Sequence, residues 1–113
     1  MNQAPKDQQI TINIVQEQQG AAFDCSLLQM PVGATTIWVN QTDASQVILP
    51  DNKDTRRIIT LSPKGQEGAT WMMKMSSSQK PASIGGTFRW KLQSNANAYI
   101  TISTMDISGE ANK

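Results

Sequence analysis

Apolar and polar residues alternate along much of the chain, and no stretch holds a helical period for long. In residues 9–15, Ile10, Ile12 and Ile14 alternate with polar neighbours, the pattern of a half-buried strand. Residues 16–22 read as a polar, glycine-containing connection. Residues 23–30 are mixed and extended, and end at Pro31-Val32-Gly33, a turn signal. Residues 35–40 (T-T-I-W-V-N) are the most β-prone run in the chain, since β-branched and aromatic side chains suit a pleated, packed surface. A polar turn over residues 40–45 leads to a short apolar run, 46–49, stopped by Pro50-Asp51-Asn52.

A further run over residues 57–61 precedes Ser62-Pro63-Lys64-Gly65. Residues 70–75 read as a strand with Trp71, Met73 and Met75 on one face, although the Met and Ala of 66–75 also allow one helical turn. Residues 76–83 are a soft, Ser-rich loop. Gly85-Gly86 then opens residues 87–92, where Phe88, Trp90 and Leu92 alternate with Arg89 and Lys91, giving one buried and one solvated face. Residues 93–97 form a short polar turn, 99–103 the last clear strand, and 106–113 a frayed tail. About seven to eight short strands separated by turns predict an all-β fold, a sandwich or a barrel.

The length of 113 residues predicts a single domain over residues 1–113, with its core over 10–103 and polar tails. Ten basic and nine acidic residues leave a net charge of +1, too little to gather nucleic acid or an anionic membrane. Arg56-Arg57, the only adjacent basic pair, reads as a solvated face. There is no His, which removes the usual general base and the commonest metal ligand. Cys25 is the only cysteine, so no intrachain disulfide forms, and a single Cys is compatible with export. No apolar run approaches the roughly 20 residues of a membrane span. Residues 1–9 are polar and lack the apolar stretch of a signal peptide, which fits either a mature start with an added Met or a true cytoplasmic start.

Three segments resemble the cupredoxin family, the plastocyanin-like blue copper proteins. The first is Phe23-Asp24-Cys25-Ser26-Leu27-Leu28-Gln29-Met30-Pro31-Val32-Gly33 followed by Thr35-Thr36-Ile37-Trp38-Val39-Asn40-Gln41-Thr42-Asp43. It is similar to the family's F-x-P, hydrophobic pair, P-x-G and V-x-W-V-N-x-D. The second, Leu61-Ser62-Pro63-Lys64-Gly65-Gln66 before Trp71, is similar to the family's L-x-P-G-Q step into a strand. The third, Gly85-Gly86-Thr87-Phe88-Arg89-Trp90, resembles the P-G-T-Y-x-Y approach to the copper cysteine. The resemblance spans residues 10–103 and implies a cupredoxin-like Greek-key β-sandwich of about seven to eight strands. Physically, Trp38, Trp71, Phe88 and Trp90 are large enough to fill the space between two sheets.

A blue copper centre needs two imidazoles, a thiolate and a weak axial thioether. The resemblance implies where each would stand. Gln46 occupies the place of the first His, Leu92 that of the Cys, Ser94 or Asn95 that of the second His, and Ala96 or Asn97 that of the axial Met. Every strong ligand is absent, and the connection 93–97 is shorter than the family's copper loop and reads as a plain hairpin turn. The sequence therefore predicts no cofactor.

Two other constellations carry weaker chemistry. Trp71-Met72-Met73-Lys74-Met75 could hold a soft cation, since thioethers bind Cu(I) and an indole can cover it; Cys25 is a further soft donor. The plainer reading is a core strand with a semi-exposed Met, and for Cys25 a small packed thiol beside the acidic Asp24. Asp51, Asn52 and Asp54 form either a hard-cation loop or an ordinary acidic turn. Without a His base, no Ser, Thr or Lys is marked as catalytic, and the chain is not expected to be an enzyme.

The leading expectation is a metal-free cupredoxin-like binding or structural module, meeting a protein partner or another copy of itself through edge strands and loop tips. The alternatives are a Cu(I) or Ag(I) carrier using Trp71, Met72, Met73 and Met75, and an engineered scaffold on this fold. The resemblance implies a periplasmic or extracellular protein.

Overall fold

The alternating runs become strands in the computed structural model, which describes residues 8–52, 55–75 and 86–105. In chain order these are β1 (Gln9–Glu17), β2 (Gly20–Phe23), β3 (Leu27–Pro31), β4 (Thr35–Asn40), β5 (Gln46–Pro50), β6 (Ile59–Leu61), β7 (Thr70–Lys74), β8 (Thr87–Leu92) and β9 (Tyr99–Met105). They form two sheets, ordered β2-β1-β4-β7 and β3-β9-β8-β5-β6. The chain changes sheet at β2–β3, β3–β4, β4–β5, β6–β7 and β7–β8, which stacks one sheet on the other. β1 pairs parallel with β4 and β3 parallel with β9; the remaining pairs are antiparallel. No helix long and apolar enough to cross a membrane occurs among the described residues.

The two-residue period decides which side chains face inward. Ile12 and Ile14 of β1, Trp38 of β4, Ile48 of β5, Leu61 of β6, Leu92 of β8 and Ile100 and Ile102 of β9 are fully buried between the sheets. Each such aliphatic side chain contributes about 1.5–3 kcal/mol through burial. Trp38 meets Trp90 of the opposite sheet edge-on, with centroids 5.2 Å apart, and Phe23 at 6.2 Å. Two of the three tryptophans thus fill the centre, while Trp71 is half-buried against it.

Three local readings change. Residues 16–22 are not a loose connection: β1 runs to Glu17, Gln18 and Gln19 make a tight turn, and β2 returns antiparallel with Val15 opposite Ala22. Gly20 closes that turn at φ 131°, a conformation that L side chains resist. The mixed segment 23–30 is broken at Asp24–Ser26: Phe23 ends β2 in one sheet and residues 27–30 begin β3 in the other, so with β2 added the described residues hold nine strands where seven to eight were expected. Residues 66–75 hold a turn and then β7, with no helical turn, because Trp71 and Met73 must face the core opposite Trp38 and Thr36. The Ser-rich loop and the C-terminal tail lie outside the described residues.

Candidate functional site

Four connections meet at one end of the sandwich. Lys64 N donates to Thr42 O at 2.8 Å, joining the β6–β7 and β4–β5 connections. Gln93 N donates to Val47 O at 2.8 Å, joining the β8–β9 hairpin to β5. Asn95 Nδ2 donates to Ala21 O at 3.0 Å, bringing in the β1–β2 hairpin.

A chain of neutral side chains runs beneath these connections. Asn40 ends β4, where its inward position buries it completely. Its Nδ2 donates to Ala44 O at 2.8 Å and to Ser62 O at 2.9 Å. Its Oδ1 accepts from Thr42 N at 2.9 Å and Thr42 Oγ1 at 2.7 Å, so the side chain is fully paired. Gln46 opens β5, only 3% exposed, and its Nε2 donates to Thr42 Oγ1 at 3.0 Å. Ser94 Oγ closes the series by donating to Gln46 Oε1 at 2.8 Å.

The positions singled out by resemblance are thereby located. Gln46 and Ser94 touch, and Asn95 reaches β2. Leu92 lies in the apolar core, in register with Ile48, and Ala96 is exposed in the hairpin. This donor set does not fit blue copper. It offers an amide engaged at both ends, a hydroxyl, a second amide and two aliphatic side chains, where two imidazoles and a thiolate are needed. Among the described residues, no three His, Cys, Asp or Glu side chains come together. The hairpin is short and regular: Leu92 N donates to Ala98 O at 3.1 Å and Ala98 N to Asn95 O at 2.9 Å.

The soft-donor candidates are divided between surfaces. Met75 is buried and Met73 half-buried on the inner side, whereas Met72 is 54% exposed on the outer face beside Ile37. The Trp71 ring already carries the Arg57 guanidinium at 5.5 Å. Cys25 follows β2, at the opposite edge of the sheet from β7, three strand spacings or about 14 Å away. Desolvation, then the charge and hydrogen bond of Asp24, push its thiol up to about 11, so it is a poor nucleophile at neutral pH. The acidic turn is also committed: Asp51 holds Arg89 at 3.1 Å and Lys91 at 3.6 Å, which leaves it little charge for a hard cation, and Asp54 lies outside the described residues.

The cluster of Asn40, Thr42 and Ser62 escaped the sequence reading. Asn40-x-Thr42 after a strand is a local signal, since an Asn side chain readily bonds a backbone amide two residues on. The bond to Ser62, 22 residues away, has no such signal.

No protein-family model matches this chain, and no curated protein is similar to it in sequence. Solved structures do match. A methionine-to-alanine variant of amicyanin in its Cu(I) form superposes with a TM-score of 0.60 at 13% identity, covering 87% of this chain and 83% of that one. A proline-to-glycine amicyanin variant, in the reduced Cu(I) form at pH 4, gives 0.59 at 12% identity, with the same 87% and 83% coverage. A purple cupredoxin from Nitrosopumilus maritimus gives 0.56 at 15% identity, covering 84% of this chain and 98% of that one. The fold is therefore that of the cupredoxins, as the sequence motifs implied.

Proposed function

We propose that this chain is a metal-free cupredoxin-like module that binds or supports other proteins, without electron-transfer or enzymatic activity. The observation that carries this reading is Gln46: it stands where the resemblance puts the first imidazole, and both ends of its amide are consumed by Thr42 and Ser94. Contact surface is available in the edge strands and in the exposed apolar side chains Leu27, Ile58, Met72, Tyr99 and Met105. The partner is a protein or a second copy of this chain; the small net charge of +1 supports neither nucleic acid nor an anionic membrane. The same fold resemblance supports export to the periplasm or the cell exterior.

The carrier reading is tested with Ag(I) as a redox-silent stand-in for Cu(I). Titration is expected to leave Trp71 fluorescence unchanged, because Met72 faces away from Met73 and Met75. Stoichiometric quenching that disappears when Met72, Met73 and Met75 are replaced together would establish the carrier instead.

A further inference from the structure

We infer that the Ser94–Gln46–Thr42–Asn40 chain, exposed at Ser94 and buried from Gln46 inward, is a ligand-independent latch, which fastens the β8–β9 hairpin to the β4–β5 connection at the end where the resemblance puts the copper ligands. This rests on the metal-free reading above and adds a role for Gln46 and Ser94, which stand where the resemblance puts ligands.

The direction of the bonds supports it. Ser94 donates to Gln46, Gln46 to Thr42, Thr42 to Asn40, and Asn40 to the carbonyls of Ala44 and Ser62. Each donor finds the next acceptor, and the series ends on backbone. Gln46 and Ser94 are 48 residues apart, so this one contact closes a long loop. Apart from it, the hairpin is tied to its surroundings here by Gln93 N to Val47 O and by Asn95 to Ala21 O. No member of the chain titrates. The charged side chains on the surrounding connections, Glu17, Asp43, Lys64 and Glu67, are all exposed. The latch therefore holds without a metal and independently of pH.

Hydrogen exchange of the full chain tests this, read at the Asn95 and Ala98 amides that the hairpin itself bonds. Ser94→Ala, a change at an exposed residue that leaves the core intact, is expected to speed their exchange by up to about tenfold, since losing one part-buried hydrogen bond costs at most about that much. The Ile12 amide, in the middle of β1, should not change. Gln46→Glu keeps the shape but converts a neutral donor into a carboxylate. Its hairpin should be protected at low pH, where the acid can donate to Thr42, and lose protection as the carboxyl ionises; the parent chain, corrected for intrinsic rates, should show no such dependence. Unchanged protection in both variants would overturn the latch. Protection that rises in the parent chain on adding Cu(II) would instead overturn the metal-free reading.

Discussion

Trp38→Ala is expected to remove about 3–5 kcal/mol of stability, the range for truncating a fully buried large aromatic. Trp38 is completely buried at the centre of β4, and its ring is the only one in contact with both Phe23 and Trp90 among the described pairs. Alanine would leave a void between two sheets whose backbones are held by their own ladders and cannot collapse fully into it. The indole also donates from Nε1 to Thr36 Oγ1 at 2.7 Å, while Thr36 donates onward to Met73 O at 3.0 Å. Trp38→Phe keeps most of the ring and loses that bond, so it should cost about 1–2 kcal/mol. A domain of this size holds about 5–15 kcal/mol in total, so the alanine variant gives up a large share. Urea unfolding followed by far-ultraviolet circular dichroism measures both. A loss below about 1 kcal/mol for Trp38→Ala would contradict this packing.

Asn40→Ala is expected to cost about 2–4 kcal/mol, although it deletes only a small polar group. The reason is the partners it leaves behind: the buried amide of Thr42 and the part-buried carbonyl of Ser62 would lose their bond, while the Ala44 carbonyl would keep only its contact with Thr42 Oγ1 at 3.0 Å. Entry of water at this end of the sandwich offsets part of that loss. Asn40→Asp separates charge from shape. It keeps the acceptor for Thr42 but sets a second carboxyl oxygen against two carbonyl oxygens. The folded state then favours the protonated acid, whose O–H can donate to one carbonyl, so its pKa rises above the unfolded value. Stability of this variant should therefore be higher at low pH and fall as pH rises through the unfolded and then the folded pKa. Equal stability of the parent and both variants at neutral pH would contradict the assigned bonds.

The inward faces of β1, β8 and β9 were legible because each carries large apolar residues at alternate positions, whereas β4 was legible as a strand from its β-branched and aromatic content, its inward face being Thr36, Trp38 and Asn40. β2 was not legible. Its inward residues include Ala21, too small to mark a face, and Gln18-Gln19 lacks usual turn residues, so Gly20 alone signals a turn and does not announce a returning strand. The split at Asp24–Ser26 was hidden for a related reason: sheet membership depends on whether β2 pairs with β1 and β3 with β9, which residues 23–30 alone do not encode.

At the candidate site, the absence of His was legible directly in the sequence, and so was the alternation that puts Leu92 in the core with Trp90. The contact between Gln46 and Ser94 was not, because it forms across two connections whose packing follows from the whole sandwich. Asn40 looked like an ordinary turn residue, since polarity in sequence signals exposure unless partners from distant segments surround the group.

The most direct measurement is a titration of the purified 113-residue chain with Cu(II), followed by visible absorption and by the copper retained after gel filtration. Closure by Gln46, Thr42 and Ser94 of the end where the resemblance puts the ligands predicts no intense blue band and no stoichiometric copper on the protein. An intense blue band, or one tightly held copper per chain, would contradict it.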